Sequence, residues 1–114
     1  MRVLIVDDDP SVREVLTVML SAAGHEIIGA AADGHTAIRS AQSDRPDAVI
    51  LDVSLPDVEG IAILRILRDI QHEVRIVVHS GHDDPQMASD LLAAGADAVI
   101  VKGGDPQELI DALS

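Results

Sequence analysis

The sequence predicts one doubly wound α/β domain, in which helices cover both faces of a parallel sheet. The length of 114 residues suits a single domain, and five short apolar runs alternate with five amphipathic segments. The apolar runs lack the polar alternation of a half-exposed strand, which is typical of strands buried on both faces. Strict alternation of this kind implies parallel strands joined by right-handed crossover helices.

The first strand is predicted at Val3–Val6, a continuous run rich in β-branched residues. A helix follows it, with apolar residues at the i, i+3, i+4, i+7 spacing. Pro10 suits the first helical position, where its missing N–H costs nothing, and Gly24 suits the helix end. Asp9, directly before Pro10, is expected to cap the helix.

The same strand–helix unit repeats four more times along the chain. Its strands are predicted at Glu26–Ala32, Ala48–Leu51, Val74–Val78 and Ala98–Val101. Its helices are predicted at Gly34–Ser43, at a segment marked by Ile63, Leu64, Leu67 and Ile70, at Asp84–Ala94 and at Pro106–Leu113. The five strands therefore end near Asp7, Asp33, Asp52, Ser80 and Lys102.

Composition and charge exclude several classes of function. The net charge is −12, from 20 acidic and 8 basic residues, so we expect this domain to bind neither nucleic acid nor an anionic membrane directly. Without cysteine the chain has no disulfide, zinc–thiolate or thiol chemistry, and without aromatic residues it cannot stack on bases. Because no apolar run approaches a membrane span and no charged leader opens the chain, we expect a soluble, cytoplasmic domain.

Acidic residues follow two strands that the fold is expected to place side by side. Asp7 and Asp8 follow the first strand and Asp52 follows the third. Sheets of this class bind ligands at the carboxyl ends of their strands, where the strand order reverses. Like charges about 4 Å apart repel by roughly 1 to 4 kcal/mol. A hard divalent cation such as Mg²⁺, which prefers oxygen ligands, would offset that repulsion.

Two further strand ends add a cation and a hydroxyl group to this edge of the sheet. Lys102 follows the fifth strand and Ser80 the fourth. Phosphoryl transfer depends on positioning and on neutralising charge on the phosphoryl oxygens, which these groups and a metal ion can do. An aspartate carboxylate can attack phosphorus to give an acyl phosphate. Asp52 is the candidate nucleophile.

Three segments together resemble the receiver domains of two-component response regulators. They are Leu4–Asp9 (LIVDDD), Asp47–Gly60 (DAVILDVSLPDVEG) and Gly95–Lys102 (GADAVIVK). The similarity covers nearly the whole chain in the right order and at the right spacings. It implies a flavodoxin-like three-layer sandwich with strand order 2-1-3-4-5, and a single receiver domain over residues 1–114.

The resemblance also implies a role for each site residue. Asp52 would accept a phosphoryl group from a phosphohistidine on a sensor histidine kinase. Asp8 and Asp52 would ligate Mg²⁺ or Mn²⁺, with the backbone carbonyl of Val53 as another ligand and Asp7 acting mainly through water.

Around the phosphoryl group, Lys102 would pair with it and the hydroxyl of Ser80 would swing toward it. Gly81 leaves room beside it, although it equally suits a turn. Ser54 and His82, two residues beyond Asp52 and Ser80, occupy the positions that tune the access of water and hence the lifetime of the signal.

Two residues depart from the family pattern. Val99 stands where members usually carry an aromatic ring whose rotation accompanies the switch. Gly103 follows Lys102 where a proline, in a cis peptide, is common, so we expect a trans peptide here. This replacement resembles the subfamily whose receiver precedes a helix-turn-helix DNA-binding domain. The chain ends about two turns into its last predicted helix, which suits a receiver separated from such an output domain.

The resemblance implies a signalling domain that is not a classical enzyme but assists its own phosphorylation and dephosphorylation. Its partners would be the kinase and a second copy bound through the face of the fourth helix, fifth strand and fifth helix, with transcription as the output. The alternative is a degenerate receiver that binds partners without phosphorylation.

Other classes fit the sequence less well. A phosphatase of the haloacid-dehalogenase type, suggested by Asp7-x-Asp9, needs a longer chain. Neither glycine-rich nucleotide-binding motif is present. The pair His79-x-x-His82 lacks further soft ligands for a transition metal.

Overall fold

The computed structural model describes all 114 residues and contains five strands alternating with five helices. The strands are β1 (Arg2–Val6), β2 (Glu26–Ala31), β3 (Ala48–Leu51), β4 (Arg75–Ser80) and β5 (Ala98–Val101). The helices are α1 (Pro10–Ala22), α2 (Gly34–Asp44), α3 (Gly60–Ile70), α4 (Pro85–Ala93) and α5 (Pro106–Ala112). The predicted alternation is confirmed.

All five strands are parallel and lie in the order β2-β1-β3-β4-β5, which confirms the predicted topology. The order reverses between β1 and β3, where Val6 pairs with Leu51. The residues that follow these two strands therefore meet at the carboxyl edge of the sheet.

Alternate residues of each strand point to opposite faces of the sheet and build two cores. On one face, Val3 and Ile5 pack in the core that α1 and α5 cover. On the other, Leu4 and Val6 pack in the larger core beneath α2, α3 and α4. Burial on both faces explains the continuous apolar runs of β1, β3 and β4, whereas the edge strands β2 and β5 are mostly half-buried.

The predicted bounds of β4 were wrong, because the strand runs from Arg75 to Ser80 and not from Val74 to Val78. The N–H of Val74 donates to the Gln71 carbonyl of the preceding turn, outside the ladder. At the other end, the N–H of Lys102 donates to the Ser80 carbonyl at 2.7 Å, which extends the pairing with β5.

Four of the 20 acidic residues are aspartates that cap helices. Their side chains accept backbone N–H groups in the first turns of α1, α2, α4 and α5: Asp9, Asp33, Asp84 and Asp105. The predicted cap at Asp9 is confirmed. Asp33 thus serves α2 at the edge of the sheet and does not join the cluster of acids.

A fifth aspartate caps a helix from a distance, which the sequence did not reveal. Asp57, in the loop before α3, accepts the N–H groups of Gly34 at 2.7 Å and His35 at 3.0 Å. Hydrogen bonds from Gly34 and then from His35 outweigh burial and lower the pKa of Asp57. The loop between β3 and α3 is therefore fastened to the start of α2.

No helix of this structure combines the length and the apolar character that crossing a membrane requires.

Candidate functional site

Three carboxylates meet where β1 and β3 end. Oxygen atoms of Asp7, Asp8 and Asp52 lie within 4.8 Å of one another. Asp7 and Asp52 are only 1% and 3% exposed, whereas Asp8 is open to solvent. The structure thus brings together the acidic residues that the sequence singled out.

Backbone hydrogen bonds fix the two buried carboxylates. The N–H of Asp52 donates to the Val6 carbonyl of β1 at 2.8 Å, and its Oδ1 accepts from the N–H of Ser54 at 2.9 Å. The Oδ1 of Asp7 accepts from the N–H of Asp9 at 2.9 Å. One oxygen of each carboxylate is therefore held by its own loop, and the other faces the site.

Lys102 supplies the positive charge at the same edge. Its Nζ lies 2.8 Å from Asp7 Oδ2 and 3.1 Å from Asp52 Oδ2. Burial lowers the pKa of the Lys102 ammonium group, but its contacts with Asp7 and Asp52 outweigh that effect and raise the pKa. The lysine is therefore charged at neutral pH, and three carboxylates share one cation.

The residues present fit a divalent cation. Asp7 Oδ2 is buried and accepts no hydrogen bond of good geometry, so its polar partner is the ammonium group alone. Asp8 forms no ion pair. Oxygen ligands with spare lone pairs and an excess of negative charge are what Mg²⁺ requires.

Ser80 ends β4 with a buried side chain beside this cluster. Its Oγ accepts the N–H of His82 at 3.1 Å, so the hydroxyl is held by its own loop and not by a carboxylate. Next to it, Gly81 is exposed, and a Cβ there would meet nothing within 4 Å.

The two departures from the family pattern are visible in the structure. Val99 is half-buried and packs against the core beneath α4. No peptide bond is cis, so the expected trans bond after Lys102 is confirmed. Gly103 adopts φ +84°, which lies outside the range of proline, whose ring fixes φ near −65°.

The remaining predicted residues lie around the cluster. Val53 is buried, and Ser54 and His82 are exposed. His79 lies half-buried on β4, and burial followed by the charge of Lys102 lowers its pKa. Neither histidine belongs to the one group of three potential metal ligands.

Two residues that shape the site were missed by the sequence reasoning. Arg13 reaches back from α1, and its Nη1 donates to the Asp7 carbonyl at 2.7 Å. Gly60 lies so close to Val53 that a Cβ on it would be 2.9 Å from the Val53 carbonyl oxygen. Neither contact leaves a periodic signal, because each depends on how a helix packs against a loop.

Comparison with known proteins decides the family. The sequence model of the protein family described as the response regulator receiver domain matches residues 3–114. The chain belongs to the response regulator receiver family. This receiver is thus the signalling domain of a two-component response regulator, in agreement with the resemblance of its motifs.

Individual relatives include one short and one longer protein. The chemotaxis protein CheY of Thermotoga maritima is 33% identical over 113 residues, which are 99% of this chain and 94% of that protein. The DNA-binding response regulator MtrA of Mycolicibacterium smegmatis is 39% identical over 96% of this chain but only 47% of its own length. The receiver therefore spans about half the length of its DNA-binding relative.

A solved structure has the same fold. The CheX–CheY–BeF₃–Mg²⁺ complex from Borrelia burgdorferi aligns with a TM-score of 0.93 at 30% identity, covering 99% of this chain and 86% of that chain.

Proposed function

We propose that this receiver is a phosphoryl-accepting switch in which Asp52 takes the phosphoryl group. The observation that carries the proposal is the position of the Asp52 carboxylate. It is buried at the end of β3, lies 3.1 Å from the Lys102 ammonium group and has two more carboxylates within 4.8 Å. Such a carboxylate is fixed in place beside an ammonium group that can neutralise a phosphoryl group, and the other two carboxylates can hold a metal ion that does the same.

The cation would be held by Asp7, Asp8 and Asp52 together with the backbone carbonyl of Val53. By family resemblance, Asp8 and Asp52 would be direct ligands and Asp7 would act through water. The ion would be Mg²⁺ or Mn²⁺ and would neutralise charge on the phosphoryl oxygens.

The transfer begins with a lone pair on a carboxylate oxygen of Asp52, which forms the new O–P bond. The P–N bond of the donor phosphohistidine breaks, and its electron pair remains on the imidazole nitrogen of the sensor kinase. Lys102 already contacts the acceptor carboxylate and moves little to pair with a phosphoryl oxygen.

The hydroxyl of Ser80 must leave the N–H of His82 to reach the phosphoryl group, and this exchange is the first step of the switch. Gly81 leaves room for it. The exposed Ser54 and His82 then regulate how water reaches the acyl phosphate, so the domain assists its own phosphorylation and dephosphorylation.

The relatives support a proposal for the wider setting of this domain. We place this domain in the cytoplasm, as a part of a longer response regulator whose output is transcription, with a sensor histidine kinase as its donor. Phosphorylation would change binding of a partner or of a second copy at the face formed by α4, β5 and α5. With Val99 in this face, that change proceeds without rotation of an aromatic ring.

The direct test is phosphorylation by acetyl phosphate with Mg²⁺, read by mass spectrometry of the intact protein and its peptides. One phosphoryl group should appear on Asp52 and be absent from D52N. An unmodified wild-type protein would refute the acceptor role. An adduct that changes neither oligomeric state nor partner binding would refute the switch alone.

A second candidate is the degenerate receiver that binds partners without phosphorylation, and Val99 is the observation that favours it. In that case D52N would bind partners as the wild type does, and acetyl phosphate treatment would change the binding of neither protein.

A further inference from the structure

A groove separates the first turns of α3 and α4, next to the loop that carries Asp52. It has a volume of about 290 Å³ and is open to solvent. Four apolar side chains form its walls: Val53, Ile61, Met87 and Leu91. No residue so far assigned to phosphoryl transfer, other than Val53, takes part in it.

Three carboxylates line the same groove, Glu59 from the α3 side and Asp84 and Asp90 from α4. None of them forms an ion pair within the chain. One oxygen of Asp84 accepts a hydrogen bond from the backbone N–H of Gln86. One oxygen of Asp90 accepts a hydrogen bond from the side-chain amide of the same residue. Glu59 uses no side-chain oxygen, so the groove has free acceptors and no cation of its own.

Apolar walls combined with uncompensated carboxylates select a particular kind of occupant. A long side chain with an aliphatic stem and a cationic head buries its stem against apolar atoms and keeps its charge near the rim. Its charge would also relieve the repulsion among the three acids. We propose that this groove binds a lysine or arginine side chain presented by a partner polypeptide.

The surrounding charge points to a basic partner and away from a second copy of this chain. Residues 83–114, which form the adjoining face, contain seven acidic residues and a single basic one, Lys102. That lysine is engaged by Asp7 and Asp52. A second copy that brought this face against the groove would therefore set carboxylate against carboxylate.

Only three of the chain's eight cations, Arg39, Arg45 and Arg65, contact neither a backbone carbonyl nor a buried carboxylate. Four of its arginines, Arg2, Arg13, Arg68 and Arg75, donate hydrogen bonds to backbone carbonyls of their own chain. The exposed Arg65 lies further along α3 and forms no ion pair with the groove acids. A basic segment of another protein is the better complement.

The groove shares structure with the phosphoryl site, and this part of the inference rests on the proposed function. Val53 forms a wall, and its carbonyl is a proposed metal ligand. Asp84 follows the short loop that begins at Ser80. Movement of either on phosphorylation would change the affinity for the basic side chain.

The test uses two small probes that differ only in charge. N-acetyl-lysine methylamide and N-acetyl-norleucine methylamide are titrated separately into isotope-labelled, unphosphorylated protein. NMR shifts are followed at the Met87 methyl group and at the amides of Ile61 and Gln86. We expect saturable shifts with the lysine probe and none with norleucine at the same concentrations. Equal responses to both probes, or no response to lysine, would overturn the proposal.

Matched variants locate the binding site. We expect E59Q/D90N to weaken lysine binding about tenfold, the effect of losing two partly exposed ion pairs. D69N/E73Q removes the same amount of charge from exposed positions outside the groove and should bind as the wild type. An equal loss in both variants would mean general attraction to an acidic protein and would refute the groove.

Two further measurements separate the inferences. Sedimentation measures whether the protein associates with itself. Self-association of the wild type that is lost in E59Q/D90N would show that a second copy occupies the groove, contrary to the proposal. Repeating the lysine titration after acetyl phosphate treatment tests the coupling, because unchanged affinity in protein shown to be phosphorylated would refute the coupling alone. Absence of phosphorylation would count against the proposed function and leave the first titration valid.

Discussion

Lys102 bridges Asp7 and Asp52, the two buried carboxylates of the site. Its Nζ is 2.8 Å from one and 3.1 Å from the other, and a quarter of its side chain is exposed. The lysine at the end of β5 therefore neutralises part of the negative charge that a bound divalent cation would neutralise at this site. A cation held by Asp52 would compete with Lys102 for that carboxylate.

This competition sets the expected behaviour of K102M. Without the ammonium group the two buried carboxylates repel each other, so we expect the metal-free domain to lose about 1 to 3 kcal/mol of unfolding free energy. The same variant should bind Mg²⁺ more tightly than the wild type, because no lysine competes. Urea unfolding followed by circular dichroism, which suits a chain without aromatic residues, and calorimetric titration measure the two effects. Weaker Mg²⁺ binding by K102M would contradict the competition.

Mg²⁺ should stabilise the folded domain through Asp8. A ligand that binds only the folded state at about 100 times its Kd adds about 2.7 kcal/mol. We expect D8N to abolish this Mg²⁺-dependent rise in melting temperature while leaving the metal-free protein nearly unchanged, because Asp8 is exposed and unpaired. D44N, at an exposed position outside the cluster, is the control. A full Mg²⁺ response in D8N would remove Asp8 from the site.

The parts of this molecule that the sequence predicted share one property. Asp7, Asp8, Asp52 and Lys102 directly follow apolar runs, and parallel strands bring their ends together whatever the packing of the helices. The cap that Asp57 provides to α2 joins two loops whose residues are 23 positions apart. The spacing of apolar residues along the sequence gives no information about such a contact.

The predicted end of β4 at Val78 was wrong for a related reason. The polar residues His79 and Ser80 look like a loop in the sequence, yet both pair with β5, because hydrogen bonding continues past the last apolar residue.

Gly60 is required by the closeness of α3 to the loop that follows Asp52. A Cβ there would lie 2.6 Å from the Val53 Cβ and 2.9 Å from its carbonyl oxygen, both too close for real contacts. We expect G60A to cost about 1 to 3 kcal/mol of stability and to weaken Mg²⁺ binding, because Val53 must move. In G104A the added Cβ meets its nearest atom at an ordinary 3.5 Å, so Mg²⁺ binding should persist. Unchanged Mg²⁺ affinity in G60A would show that the Val53 carbonyl is not a metal ligand.

The backbone conformation at Gly103 is one that proline, the residue common at this position in the family, cannot adopt. Its φ of +84° is left-handed, and no atom lies within 4 Å of the place of a Cβ. We expect G103A to lose about 1 to 2 kcal/mol from backbone strain alone. G103P should lose more, since the ring cannot reach this φ. Equal stability of G103P and wild type by urea unfolding would show that the loop after Lys102 rearranges freely.

The hydrogen bonds that Asp57 accepts from Gly34 and His35 make the free energy of unfolding depend on pH. They lower the pKa of Asp57 below its ordinary value of 3.8, so the folded state holds this proton less tightly than the unfolded state does. The resulting stabilisation is complete above the ordinary pKa and is lost as pH falls through the lowered one.

We therefore expect D57N to be less stable than the wild type at pH 7, and the difference to shrink as the pH falls below about 4. D69N, an exposed and unbonded aspartate on α3, should show no such trend. Urea unfolding from pH 7 to pH 3 measures both variants. A difference between D57N and wild type that stays constant over this range would mean that the carboxylate charge adds nothing to the cap.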